Sequence, residues 1–317
     1  MTTAPQASAL ASSVAILLCT RNGDRFLGEQ LDSFASQTHG AWTVWASDDG
    51  STDGTLALLE QRRSAWGPEK LKILRGPGRG STPNFLSLAC NATITADYFA
   101  YSDQDDIWHA DKLSRAVSWL NTVPKDKPAL YFSRTVLVDE AGRETGVSRL
   151  YTRQPSFQNA LVQNIGGGNT MVFNQAAREV LRVGGYDVDV VVHDWWTYMA
   201  VTGAGGVVFS DPAPSLQYRQ HGGNQIGSNL GLSARLFRAG LLLEGRFKLW
   251  ADLNLKALSC IETRLTPQNR QILEAFKVAR AQKSLIPRLI GVARSGIYRQ
   301  SFIDNLGLYI AAALNRL

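Results

Sequence analysis

Between Val14 and Asp103 the chain alternates short β-rich apolar runs with amphipathic helical segments. The apolar runs are "VAILLCT", "WTVWASDD", "LKILRG" and "DYFAYSD". Between them lie "FLGEQLDSFASQ", with Leu27, Leu31 and Phe34 on one helical face, "TDGTLALLEQRR", opened by a Thr/Asp cap, and "STPNFLSLACN", with proline near its start. This βαβαβαβ order predicts an α/β fold, a mainly parallel, doubly wound central sheet flanked by helices. Sheets of this kind bind ligands at the carboxyl ends of their strands. Asp48 and Asp49 follow the second run and Asp103, Asp105 and Asp106 follow the fourth, so these acids are expected on one rim.

The second cluster, in "YFAYSDQDDIWHADKL", puts three carboxylates into four positions. Two like charges about 4 Å apart repel by roughly 4 kcal/mol at an effective dielectric of about 20. A bound cation would compensate them, and so would water around an exposed turn.

After Asp106 the pattern loosens into a helix near Asp111 to Leu120, a strand "ALYFSRTVLVD", a Gly-rich "NIGGGNTMVFN", a helical "VHDWWTYMAVTG" and a strand "APSLQYRQ". Beyond Gly231 the chain reads as helical to its end. The expected organisation is a mobile N-terminus over 1–13, an α/β domain over 14–230 and a basic amphipathic helical extension over 231–317. Charge follows the same division. Residues 1–230 hold 19 Lys+Arg against 22 Asp+Glu, whereas residues 231–317 hold 14 against 5, so the net charge of +6 comes from the extension. Hydrophobic residues make up 44% of the 317, enough for a sizeable core. Cys19, Cys90 and Cys260 are far apart, odd in number and lack CxxC spacing, which argues against a disulfide framework or a zinc site and fits a reducing cytoplasm. No basic n-region or spanning run of about 20 apolar residues is visible.

The segments "ILLCTRNGDRFLGEQLDSFASQT", "ASDDGSTDGT", "YSDQDDIWHADKL", "GGGNTMVFN", "HDWW" and "YRQHGGN", in this order over roughly residues 14 to 227, resemble family 2 glycosyltransferases of GT-A fold. The likeness is greatest to bacterial rhamnosyltransferase-like members that build cell-surface polysaccharide. An ordered set of motifs is far more specific than any one of them.

The resemblance implies roles for individual residues. Asp103 and Asp105 stand at the family's DxD motif and would hold Mg²⁺ or Mn²⁺ against the diphosphate of a nucleotide sugar, with His221 as a third metal ligand or diphosphate contact. Asp106 would orient its neighbours or bind acceptor. Asp49 resembles the nucleobase-binding aspartate, although Asp48, Asp49 and Ser51 could equally shape a turn, and Asp53 is read as a cap. Thr20, Arg21, Arg79, Asn84 and Gln104 would complete the nucleotide-sugar site. Asp194, at the start of its helix, stands where the family places its base, and it could also be an N-cap. Gly167, Gly168 and Asn169 would form an acceptor-side loop. Trp195 and Trp196 are adjacent and point apart, one into the core and the other available to a sugar face.

The expected function is therefore metal-dependent, inverting transfer of a sugar, L-rhamnose from a dTDP donor (with UDP-sugars as the alternative), to a polysaccharide or lipid-linked acceptor. A metal-dependent phosphohydrolase, or a catalytically silent nucleotide-sugar-binding partner, are the alternatives. No nucleic-acid reader motif is present. The basic extension suits a peripheral position at the inner face of an anionic membrane, or packing on the catalytic domain or a second copy of the chain.

Overall fold

The computed structural model describes residues 11–220 and 245–317. The first half is the expected parallel unit. Strands β1 (Val14–Thr20), β2 (Trp42–Asp48), β3 (Leu71–Arg75) and β4 (Tyr98–Ser102) are joined by α1 (Asp24–Ala35), α2 (Thr55–Trp66) and α3 (Ser81–Cys90). They run parallel in the order β3-β2-β1-β4. Every residue of β1 is buried, because the sheet is covered on both faces. Ala15, Leu17 and Cys19 enter one hydrophobic cluster and Val14, Ile16 and Leu18 the other. The order reverses at β1, and the carboxyl ends of β1 and β4 open the crevice where α/β sheets bind ligands.

The second half contains β5 (Ile107–Trp108), α4 (Lys112–Leu120), β6 (Ala129–Val138), β7 (Glu144–Val147), α5 (Phe157–Ala160), β8 (Val172–Asn174), α6 (Gln175–Gly184), α7 (His193–Gly203) and β9 (Val207–Arg219). It makes the sheet mixed. Strand β8 is antiparallel to β4 and β6, β9 is parallel to β6, and β5 returns antiparallel to β9. The β5–β9 pairing brings Arg219, at the end of β9, back to the acidic segment after β4.

Among the described residues four α-helices follow: α8 (Arg246–Cys260), α9 (Pro267–Ala281), α10 (Leu285–Arg294) and α11 (Phe302–Ala313). Their Leu258, Leu273, Phe276, Val292 and Leu308 share one cluster with Leu17, Phe85 and Trp196. Buried Arg288 ties this end together: its guanidinium donates to the carbonyls of Ala312 (2.6 Å), Ala313 (3.0 Å) and Gln282 (2.9 Å). Among the described residues no helix is long and apolar enough to cross a membrane.

Candidate functional site

One side of the crevice is built by the ends of β1 and β2 and the loop after β3. Asp48 accepts from Thr20 Oγ1 (2.9 Å) and from the Ser51 amide (2.9 Å), locking the two strand ends together. Asp49 reaches sideways. Its carboxylate accepts from the Gly78 amide (2.6 Å) and the Gly80 amide (2.7 Å), which gives the Gly-rich loop its shape. Both glycines have positive φ, +70° and +94°, where a side chain would be strained. Each Asp49 oxygen keeps a further lone pair for a ligand donor. Arg79 stands exposed between these two glycines.

Asn84 is buried and exchanges hydrogen bonds with Ser47: Ser47 Oγ donates to Asn84 Oδ1 (2.6 Å), and Asn84 Nδ2 donates to the Ser47 carbonyl (2.9 Å). Gln104 is likewise engaged. It accepts from the Arg21 amide (2.8 Å) and donates to the Arg21 carbonyl (3.0 Å), fastening the end of β1 to the acidic segment. Both side chains fix neighbouring backbone through these bonds.

The acidic segment is only partly solvated. Asp103 is pushed up to about 7 by burial, by the charge of Asp105 and then by that of Asp194. Asp106 is fully buried and raised by burial, then by the charges of Asp105 and Asp103. It accepts from Asn169 Nδ2 (2.7 Å) and stands near the Arg219 amide (3.4 Å). Two buried cations lie beside it. Lys112 donates to the Asn169 carbonyl (2.6 Å) and sits 4.4 Å from the Trp108 ring centroid, with burial lowering it to about 7 against the pull of Asp106 and Asp103. Arg219 donates to the carbonyls of Asp105 (3.3 Å) and Glu140 (3.0 Å) and to Glu29 on α1 (2.7 Å).

Asp194 occupies the first turn of α7, whose N-cap is Val192, so it is not the capping residue. Its carboxylate accepts from the Gly168 amide (3.0 Å) and the Trp195 amide (2.6 Å), and burial raises it to about 6 against these bonds. Beside it, His193 stacks on Phe85 with ring centroids 4.0 Å apart, and its Nε2 is buried with no hydrogen-bond partner. The turn Gly167–Asn169 thus touches both centres: Gly168 holds Asp194 while Asn169 holds Asp106 and Lys112. Among the described residues no three His, Cys, Asp or Glu side chains converge as a metal-holding group, and His221 lies outside the described residues.

The match to known proteins agrees with this geometry. The model of the family described as "Glycosyl transferase family 2" matches residues 15–181, just over half of the chain. The chain is a member of glycosyl transferase family 2. A dTDP-rhamnosyl transferase, RfbG of Shigella flexneri, is 29% identical over 233 residues, 71% of this chain and 78% of the relative. A putative glycosyltransferase of Bacillus subtilis, EpsE, is 29% identical over 107 residues, 34% of this chain and 38% of the relative. Two solved structures share the fold. The mannosyltransferase PcManGT from Pyrobaculum calidifontis, in complex with GDP-Man and Mn²⁺, superposes with a TM-score of 0.51 at 20% identity over 96% of this chain and 87% of that one. S. aureus TarS 1–349, in complex with UDP-GlcNAc, gives 0.54 at 16% identity over 95% and 90%.

This glycosyltransferase departs from one sequence expectation. Neither Trp195 nor Trp196 is open to a sugar: both are buried, and Trp195 Nε1 donates to the Ala160 carbonyl (2.6 Å). The reason is that α7 is enclosed by core from Trp195 onward. Sequence reasoning also passed over Lys112 and Arg219. Lys112 precedes Leu113, Ala116, Val117 and Leu120 on the buried stripe of α4, and a lysine on an apolar face was the available signal. Arg219 gave no such signal, since its partners Glu29, Asp105 and Glu140 come from three distant segments.

Proposed function

We propose that the enzyme transfers L-rhamnose from dTDP-L-rhamnose, with inversion, to a saccharide or lipid-linked saccharide acceptor in the cytoplasm. The observation that carries the proposal is the Gly167–Asn169 turn, which couples the half-buried carboxylate of Asp194, raised to about 6, with the acidic segment after β4. Inverting transfer needs that pairing: one group to receive the acceptor's proton, and another locus, set apart from it, for the diphosphate. In this scheme the acceptor hydroxyl oxygen forms the new bond to the anomeric carbon. Its proton passes to Asp194, and the electron pair of the broken carbon–oxygen bond leaves with the nucleoside diphosphate. Asp49, with lone pairs to spare on a carboxylate fixed by Gly78 and Gly80, accepts from the pyrimidine N3–H. Thr20, Arg21, Arg79, Asn84 and Gln104 shape the remainder of the nucleotide pocket.

The donor set suits a divalent ion. Asp103, half-buried beside Asp105, is held up to about 7 by burial and then by the charge of Asp105; a hard cation would relieve that repulsion, and both supply oxygen ligands appropriate to Mg²⁺ or Mn²⁺. Asp103 and Asp105 would hold it, with His221 as the further ligand. When bound, the ion would neutralise charge on the diphosphate leaving group. The likeness to RfbG supports the rhamnose donor.

Calorimetry of dTDP, UDP and GDP with Mn²⁺, Mg²⁺ or EDTA, followed by a transfer assay with dTDP-L-rhamnose, tests this assignment. The pyrimidine nucleotides should bind more tightly than GDP, and more tightly with metal, and Asp105→Ala should abolish the metal dependence. Equal affinity with and without metal removes the ion from the scheme, and tighter binding of GDP removes Asp49.

A further inference from the structure

The outer face of the last two helices is apolar where a solvated face would be polar. On α11, Phe302 is 84% exposed and Ile303 60%, and Leu306, Tyr309 and Ile310 continue the same exposed stripe. Leu308, Ala311 and Ala312 point the other way into the core. On α10, which packs against α11, Ile286 is 69% exposed and Leu285 and Ile290 are also exposed, while Arg288 and Val292 are buried. Single exposed hydrophobes are ordinary; eight on two adjoining helices form a patch that calls for an occupant.

Charge selects the occupant. From residue 281 to the end the chain has five basic residues and one acidic residue, Asp304. Asp304 is turned inward, accepting from Ser301 Oγ (2.6 Å) and pairing with Arg149 (2.9 Å), so it does not offset the rim. Lys283, Arg294 and Arg316 are exposed. Two copies of such a face would bring like charges together, whereas an anionic lipid surface would meet both the apolar stripe and its cationic border. The helices, 10 and 12 residues long, are far below the roughly 20 needed to span, so the fitting geometry is one lying in the interface.

We infer that α10 and α11 form a docking face for an anionic lipid membrane. The face is rigidly connected to the site. Asn159 Nδ2 donates to the Tyr298 carbonyl (3.0 Å), the Gln300 amide donates to Gln163 Oε1 (2.8 Å), and the segment carrying Asn159 and Gln163 leads directly into the Gly167–Asn169 turn. Docking therefore holds the acceptor side of the enzyme at a fixed disposition to the lipid surface. The inference does not depend on which sugar is transferred.

The test is cosedimentation of the full chain with vesicles of phosphatidylcholine, with and without phosphatidylglycerol. Binding should need the anionic lipid and fall with added salt, and Ile303→Glu with Ile310→Glu should weaken it by about tenfold or more. Leu56→Glu, at an exposed position on α2, should bind as the wild type does. Circular dichroism and Tm of the double variant should match the wild type, because the face is unburied. Equal binding to neutral vesicles, unchanged binding by the double variant, or a large fall in its Tm would each overturn the inference. So would a wild-type dimer that ignores vesicles and is dissociated by the double variant, since a second copy would then be the occupant. Because no transfer is assayed, failure here leaves the rhamnosyl assignment to its own test.

Discussion

The amide of Gly168 donates to Asp194 at 3.0 Å, and Gly168 is packed so closely that a Cβ there would lie 2.4 Å from His193 Nε2 and 3.3 Å from Asp194 Cβ. Gly168→Ala should therefore displace the first turn of α7. The expected result is at least a roughly tenfold fall in kcat, as misplacing a catalytic group by about 1 Å produces, with donor Kd nearly unchanged. Gly28→Ala provides the contrast. A Cβ on Gly28, within α1, meets nothing within 4 Å. It should raise stability by about 0.5–1 kcal/mol through helix propensity and leave turnover alone.

Asp194→Asn retains the shape of the side chain but cannot take a proton. Turnover should drop by roughly 10²–10⁴-fold while nucleotide-sugar affinity is preserved, measured by steady-state kinetics alongside calorimetry. With Asp194 raised to about 6, wild-type turnover should climb as pH rises through about 6 and level off above it, since only the deprotonated carboxylate serves as base. Near-normal turnover in Asp194→Asn would place the base elsewhere, with Asp106 the next carboxylate to replace.

Buried His193 makes stability depend on pH. Burial lowers it from 6.5 to about 3, so between these values the unfolded chain binds a proton that the native protein does not. Its contribution is fully present above about pH 6.5 and is lost as pH falls toward 3, by up to about 1.4 kcal/mol per pH unit. Urea denaturation of wild type and His193→Asn between pH 7.5 and 4.5 should show the shallower slope in the variant. Parallel slopes would mean that His193 titrates normally in the fold.

Arg219→Met removes the guanidinium that lies 4.6 Å from the Phe26 ring centroid and donates to the carbonyls of Asp105 and Glu140. The expected cost is about 1–3 kcal/mol for each carbonyl left without a donor. Thermal unfolding should show a Tm several degrees lower. Donor affinity should also weaken, because the segment bearing Asp103 and Asp105 loses its tie to α1.

The parallel β1–β4 unit, the acids at its strand ends and the C-terminal helices were all legible in the sequence, since each is written in local periodicity or adjacent residues. The cluster of Asp103, Asp105 and Asp106 could be read from their proximity, whereas the choice of Asp103 and Asp105 within it, and of Asp194 at its helix start, came from the resemblance to the family. Periodicity could not show that Asn169 and Gly168 join these centres, that Gln104 spends its amide on Arg21, or that α7 is enclosed so fully that both tryptophans are lost to the core. The last quarter of the chain shows the same division. Its helical spacing and positive charge could be read directly, but the amphipathic pattern was equally compatible with packing and with a lipid surface. Only the fold divided the apolar residues, sending Leu258, Phe276 and Leu308 into the core and leaving Ile286, Phe302 and Ile303 outside. The sequence by itself determined which segments are strands and helices and where charge gathers, because those depend on residues within a turn or two. Which of those groups meet, and which are denied water, depended on contacts between residues 26 to 190 positions apart, and only the tertiary structure decided them.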